Sequence, residues 1–280
     1  MSNAITTNDS RKTSSDKIRR LTLAALLTAV VVVLALLGTA IRFGTFNLNL
    51  ALVPIVIGAA MLGVWYGAWF GFVNAVVILL SGDAAPFLAV NVAGTIVTVL
   101  AKGILAGLVS GLAYKLLEHK NKYAAVVLAA LVCPLVNTGV FLIGCRIFFW
   151  DTLHTWSQGS GAGSTFAYAI LFLVGTNFLI ELAINVILAP AIARILGISE
   201  NANVAMLIYG IVMTVLGLCF SAFAAVLLVR AILGVNPTGV ANPVVRYIVM
   251  LCFSGLVLSG GAALTIVGAI RKKHAAAARK

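Results

Sequence analysis

Two ionisable side chains, Lys102 and Glu181, lie deep within long apolar segments of the sequence. Each is about 15 residues, or roughly 22 Å of α-helix, from the predicted outer end of its segment. A charge in hydrocarbon is costly, so intramembrane charges usually pair with one another or contact a polar ligand. We therefore predict that the two groups partner each other or bind a ligand. The alternative is a buried polar network that only fixes helix packing.

Amide side chains accompany these two charges. Asn177, Glu181 and Asn185 are spaced by four residues and therefore share one face of a helix. Further polar side chains occur at positions from which they could meet that face. These are Asn137 and Thr138 on the preceding apolar segment and Asn47 and Asn49 in a short outer loop, while Asn74 and Asn91 are weaker candidates for which a structural role is favoured.

The longest predicted outer loop, residues 148–164, is aromatic first and rich in Gly and Ser afterwards. Trp150 and Trp156 are candidate substrate contacts in a gate whose rings stack on a flat ligand. The alternative is that they anchor the protein in the headgroup belt, where aromatic residues are enriched. His154 has no partners at metal-ligand spacing, so no metal site is predicted.

Catalytic motifs are not found in the sequence. There is no GxxxxGK[ST] phosphate loop, HExxH or GxSxG motif, and the seven Asp and Glu residues offer little for a paired-acid site. We therefore predict a protein that is not an enzyme and has no cofactor. If it moves a solute, either an ion gradient drives transport or another chain hydrolyses ATP.

The composition is that of a membrane protein. Hydrophobic residues make up 62% of the 280 residues and charged residues 9%, and the mean hydropathy is +1.14. A soluble chain with this composition would have too few polar residues for its surface. Several apolar runs are each long enough to cross about 30 Å of hydrocarbon. The sequence therefore predicts an all-α integral membrane protein.

The apolar runs divide the chain into three parts. Residues 1–17 are predicted to be a disordered cytoplasmic tail, 18–197 a six-helix substrate-binding membrane domain, and 198–280 a two-helix membrane appendix with a basic cytoplasmic tail. The predicted helices cover residues 18–40, 50–62, 64–80, 87–117, 123–147, 165–196, 204–233 and 244–270. The segment 87–117 is too long for a straight crossing, so it is predicted to tilt or break.

The distribution of basic residues predicts the orientation in the cell membrane. Most of the 19 Lys and Arg residues lie in three clusters just outside apolar runs: residues 11–20, 115–122 and 271–280. Basic segments of this kind remain on the cytoplasmic side. Both termini are therefore predicted to be cytoplasmic. The same distribution argues against nucleic-acid binding as the reason for the formal charge of +12.

Small residues recur every four positions in three helices. Ala25 and Ala29 form an AxxxA face near the inner end of the first helix. Such faces let another helix approach closely, either within the same chain or in a partner. The other two series are Gly63, Gly67 and Gly71, and Gly103, Gly107 and Gly111.

An ordered series of segments within 21–196 resembles the substrate-binding S components of energy-coupling factor (ECF) vitamin transporters. The series consists of the AxxxA face, NLNLALVPIVIGA (47–59), LGVWYGAWFGF (62–72), KGILAGLVSGL (102–112), CPLVNTGVF (133–141) and ELAINVILAPAIARIL (181–196). Residues 204–270 are not part of the six-helix pattern of that family.

The resemblance implies capture of a vitamin or related small polar micronutrient in an outward-facing cavity. It implies as partners a membrane coupling subunit and two ATPase subunits, with Ala25 and Ala29 as the docking surface. On this mapping the candidate ligand contacts are Asn47, Asn49, Lys102, Asn137, Asn177 and Glu181. Pantothenate, folate and riboflavin-like compounds are the candidate substrates.

Two other functions are consistent with the residues alone. One is an ion-coupled secondary transporter in which Glu181 takes up and releases a proton. The other is a non-transporting membrane scaffold, in which the glycine faces hold a complex together.

Overall fold

The computed structural model describes residues 2–40, 42–43, 46–159 and 164–195, together with isolated positions between 214 and 270. Apart from one short strand pair, this part of the chain is helical. The predicted helices 204–233 and 244–270 lie outside the described residues except for those isolated positions.

Nine α-helices, one π-helix and two short strands are described. In chain order they are α1 (Ser2–Ala40), β1 (Arg42–Phe43), β2 (Phe46–Asn47), α2 (Leu52–Leu62), α3 (Val64–Leu80), α4 (Ala85–Leu88), α5 (Val92–Leu117), α6 (Lys122–Phe148), α7 (Trp150–Gln158), α8 (Thr165–Tyr168), a π-helix (Ala169–Val174) and α9 (Gly175–Ile195). The strands pair antiparallel, with Arg42 opposite Asn47.

Three helical segments are long and apolar enough to cross a membrane: Lys17–Gly38, Val92–Leu117 and Lys122–Phe148. Shorter apolar helices occupy Leu52–Leu62, Val64–Leu80 and Asn177–Ala193. Because several such helices pack side by side, the protein is a multi-pass membrane protein. The six-plus-two arrangement of spans remains a prediction.

The short helix α2 lies at the centre of the bundle. It packs against α1, α3, α5, α6 and α9. Leu52, Ile55 and Val56 on α2 are almost completely buried. Gly63 ends this helix with a φ of 111°, a conformation that suits glycine, and α3 begins at the next residue. The neighbouring helices therefore cover the short helix α2 along its whole length.

The glycine faces pack within the chain. A side chain at Gly67 would meet the carbonyl oxygen of Gly107, and one at Gly71 would meet that of Gly103. Helices α3 and α5 therefore approach each other through their backbones, as small residues at this spacing permit. Gly63 has no neighbour where its side chain would lie, so it serves the turn and not this face.

Two predicted boundaries agree closely with the structure. The helix predicted over 64–80 is α3 without change. The long segment 87–117 is broken as the sequence allowed: α4 ends at Leu88, and α5 begins after Asn91, whose side-chain oxygen accepts a hydrogen bond from the Gly94 amide at 2.9 Å. An Asn cap of this kind starts a new helix because it satisfies a free amide.

Two features differ from the sequence-based expectation. Helix α1 begins at Ser2, so the segment expected to be disordered continues the helix; it contains neither Pro nor Gly to stop propagation. The loop predicted over 148–164 contains α7, which is amphipathic and buries Leu153. The predicted segment 165–196 agrees with the structure at its C-terminal end, since α9 continues through Pro190 and ends at Ile195.

Candidate functional site

A cavity of about 120 Å³ lies between α3, α5, α6 and α9. It is bounded by the segment before α2 and by the turn and short helix that connect α3 to α5. The side chains that line it are polar on one part of the wall and aromatic on another. The polar ones are Asn49, Asn74, Asp83, Thr95, Thr98, Lys102, Asn137, Thr138, Asn177 and Glu181.

Lys102 and Glu181 both face this cavity. The Lys102 ammonium nitrogen lies 5.2 Å from the centroid of the Phe141 ring, a cation–π distance. The Glu181 Oε1 atom accepts a hydrogen bond from the Asn49 backbone amide at 3.0 Å. Neither contact is an ion pair. Two opposite charges therefore share one cavity without neutralising each other through direct contact.

Several polar groups of the cavity wall have no hydrogen-bond partner within the described part of the chain. They include the side-chain oxygens of Asn49, Asn74, Asn137 and Asn177 and the hydroxyl of Thr98. The amide nitrogens of Asn49 and Asn74 are also unpartnered. A buried polar group without a partner costs about 1–3 kcal/mol. A cluster of such groups on one cavity wall is the arrangement expected of a site for a polar ligand.

The aromatic part of the wall is built around Phe87. Its ring meets Phe141 at 5.6 Å and Phe149 at 5.0 Å between centroids, both edge to face. Trp156 of α7 packs on the same ring at 5.8 Å. Edge-to-face contacts of this kind are a favourable geometry for aromatic pairs. The aromatic cluster positions Phe87, which lines the cavity, and links it to α7.

The chain was compared with known protein families, curated proteins and solved structures. The family described as "ECF transporter, substrate-specific component" matches residues 19–193. The chain belongs to this family. No curated protein and no solved structure matches it. The protein is thus a substrate-specific membrane subunit of an ECF transporter, and such S components are transport subunits and not enzymes.

Six of the residues predicted to bind substrate in this S component are brought together at the cavity. They come from four separate parts of the chain: Asn49, Lys102, Asn137, Thr138, Asn177 and Glu181. Helix α9 contributes two of them from one face, since Asn177 and Glu181 are four residues apart.

Three predicted contacts whose side chains are described do not line the cavity. Asn185 is buried with both polar side-chain atoms unpartnered, but it lies two turns of α9, or about 12 Å, beyond Asn177. Trp150 packs on the Arg146 guanidinium at 4.6 Å, and Trp156 packs on Phe87, which does line the cavity. Asn47 belongs to strand β2, and its side chain lies outside the described residues.

Other residues of the cavity wall were not predicted from the sequence. Asp83, Thr95 and Thr98 line it, as do the rings of Phe87 and Phe141. The two threonines could have been predicted from the sequence, because they precede Lys102 by seven and four residues and therefore share its helix face. Asp83 lies in the turn after α3, and no spacing rule relates it to the helices.

His154 takes part in local hydrogen bonding on α7. Its Nδ1 lies 2.9 Å from the Thr165 hydroxyl oxygen, and its Nε2 lies 3.3 Å from the Gln158 amide nitrogen. Among the described residues, no group of three or more metal-ligating side chains is found.

The AxxxA face of this S component is accessible. Ala25 and Ala29 are both exposed on α1. Ala25 borders a surface groove that continues onto α3 at Trp65 and Trp69. The Trp69 indole N–H donates to the Thr28 hydroxyl oxygen at 3.2 Å, and this hydrogen bond holds the two helices together beside the alanines.

Proposed function

We propose that this S component captures a vitamin or related small polar micronutrient from outside the cell and presents it for ATP-driven uptake by partner subunits. The partners are an ECF membrane coupling subunit and two ATPase subunits, acting at the cell membrane, with both termini of this chain cytoplasmic. The observation that carries the proposal is the polar cavity, in which Lys102, Glu181 and a set of unpartnered amides converge inside an otherwise apolar bundle.

The cavity supports binding more strongly than a purely structural network. A network that serves packing would satisfy its own hydrogen bonds, because each buried group left without a partner destabilises the fold. Here Asn49, Asn74, Asn137 and Asn177 keep polar atoms unpartnered at the same cavity. A bound polar molecule supplies the missing partners.

Native mass spectrometry of the full-length protein in mild detergent tests the proposal. Protein expressed in rich medium and then incubated with a mixture of water-soluble micronutrients is expected to retain a bound small molecule. Protein that carries none after both treatments would contradict the function. Uptake in cells that is abolished by a protonophore but insensitive to ATP depletion would instead favour the ion-coupled transporter.

The coupling surface can be tested separately from binding. We propose that Ala25 and Ala29 dock on the membrane coupling subunit, since they are small, exposed and four residues apart on α1. Replacing both with Trp is expected to leave ligand binding within about twofold, because the change is remote from the cavity, and to reduce cellular uptake at least tenfold.

Ligand binding by the purified variant and uptake by cells expressing it are the two measurements. The control replaces Leu26 and Val30, which are also exposed on α1, with Trp. Normal uptake by the Ala25→Trp/Ala29→Trp variant would remove the coupling role from this face.

A further inference from the structure

The positive charge of the cavity has no ionic partner within the described part of the chain. Lys102 Nζ makes a cation–π contact with Phe141, and the Glu181 carboxylate is engaged on one oxygen by the Asn49 amide. Asp83, the other acid on the wall, has an interaction of its own. An ammonium without a direct ion pair is costly in a low-dielectric interior, so Lys102 favours a ligand that brings a negative group.

The cavity also limits how much negative charge the ligand carries. Among the described residues that line it, Lys102 is the only basic one, while Glu181 and Asp83 are both acidic. Phosphate groups usually require several donors or an Arg fork, and a dianion would be repelled by the two acids. A single carboxylate matches one ammonium in both charge and hydrogen-bonding capacity.

The unpartnered groups of the wall include both acceptors and donors. Four amide oxygens lack a donor, those of Asn49, Asn74, Asn137 and Asn177, and the amide nitrogens of Asn49 and Asn74 lack an acceptor. The Glu181 carboxylate adds further acceptor capacity, because an ionised carboxylate has about four lone-pair sites and the Asn49 amide occupies one. The complementary ligand therefore carries further hydrogen-bonding groups in addition to its acid group.

The volume of the cavity further limits which ligands fit it. A cavity needs roughly 10–15 Å³ to hold one water molecule. A volume of about 120 Å³ therefore holds on the order of ten non-hydrogen atoms. A compact acid such as pantothenate or nicotinate is closer to this size than a larger molecule such as folate or riboflavin.

We infer that the substrate is a compact monocarboxylic acid that carries further hydrogen-bonding groups. Its carboxylate pairs with Lys102, and its other polar groups reach Glu181 and the side-chain amides of the wall. This inference rests on the proposed function, since it identifies the chemical class that the same cavity selects.

The native mass-spectrometry experiment tests the chemical class of the substrate directly. The micronutrient mixture contains pantothenate, nicotinate and biotin as acids, and riboflavin, thiamine and pyridoxine as molecules without a carboxylate. Retention of an acid from the first group, or of another small monocarboxylate acquired during expression, is expected. Retention of a molecule without an acid group would overturn the inference and leave substrate capture intact. No retained molecule would overturn both.

A double-mutant cycle then tests the pairing with Lys102. The bound acid is compared with its neutral counterpart, pantothenol for pantothenate or nicotinamide for nicotinate, on the wild type and on Lys102→Met. A charged hydrogen bond of this kind corresponds to about a 10- to 100-fold difference in Kd. On the wild type the neutral counterpart is expected to bind that much more weakly than the acid. On Lys102→Met the acid and its counterpart are expected to bind equally.

Two controls keep this test decisive. Lys115→Met removes an exposed lysine from the same helix, outside the cavity, and is expected to leave both affinities unchanged. If Lys102→Met does not fold, the comparison of acid and neutral counterpart on the wild type still decides the class. Equal wild-type affinities would overturn the inference, as would equal weakening of both ligands by Lys102→Met.

Discussion

Helix α5 carries two faces that are built in contrasting ways. On one, Gly103 and Gly107 meet the backbone of α3 so closely that no side chain fits between them. On the other, Thr95, Thr98 and Lys102 face a cavity with unpartnered polar groups. The glycine face gains van der Waals contact along two backbones, whereas the cavity face gives up stability by leaving polar groups without partners.

In this membrane bundle, one face of α5 contributes helix packing and the other face lines the cavity. The hydrophobic effect does not drive association between helices within lipid, so close packing of small residues has to hold them together. That contact offsets the cost of a polar cavity one helix face away. The two faces should therefore respond differently to substitution, one in stability and the other in binding.

The largest effect is expected at the glycine face. Gly107→Val places a side chain against the Gly67 carbonyl, which cannot move without shifting α3. Overpacking of this kind costs about 3 kcal/mol, which corresponds to a fall in Tm of roughly 10 °C. The Tm is measured by heating the protein in detergent and monitoring its unfolding by size-exclusion chromatography.

The matched control for that substitution is Gly139→Val on α6. Among the described residues, nothing lies within 4 Å of the position that its side chain would occupy, so its Tm is expected to stay within about 2 °C of the wild type. If both variants lose the same stability, the close approach of α3 and α5 is not what holds the bundle together.

Substitutions at two asparagines of α9 are expected to distinguish effects on stability from effects on substrate binding. Asn177 and Asn185 are both buried with unpartnered side-chain atoms, but only Asn177 lines the cavity. Replacing either with Leu removes an unsatisfied polar group and is expected to raise the free energy of unfolding by about 1 kcal/mol. Asn177→Leu is expected to weaken substrate binding about tenfold, and Asn185→Leu to change it by less than about twofold. Equal losses of affinity would show that the binding site extends to Asn185.

The smallest effect is expected at α7. Trp156 does not line the cavity but packs on the Phe87 ring, which does, so Trp156→Ala is expected to weaken binding about two- to tenfold, the size of one aromatic pair. Trp150 packs on Arg146, and Trp150→Ala is expected to leave the affinity unchanged. Isothermal titration with the identified substrate measures both. A larger loss for Trp150→Ala would place the ligand nearer to the end of α6 than the cavity indicates.

Local rules of sequence predicted the helices well where a breaker residue marks their ends. Gly63 separates α2 from α3, and Asn91 restarts the helix as α5, because each residue has a conformational or capping preference that acts at short range. The helix α7 was not predicted, since a nine-residue amphipathic segment in a polar, Gly/Ser-flanked stretch resembles a loop. The burial of Leu153 against the aromatic cluster stabilises it.

The membrane class, the glycine faces and the choice of Lys102 and Glu181 as candidate site residues followed from the sequence by itself. Each depends on composition or on spacing along one helix, which the 3.6-residue repeat converts directly into a shared face. Which faces meet was decided only by the tertiary structure. Asn185 satisfies the same spacing as Asn177 yet lies beyond the cavity, and Asp83 enters it from a turn. The reason is physical: helical periodicity fixes direction around one axis, whereas a binding site is set by the depth and rotation of several helices packed together.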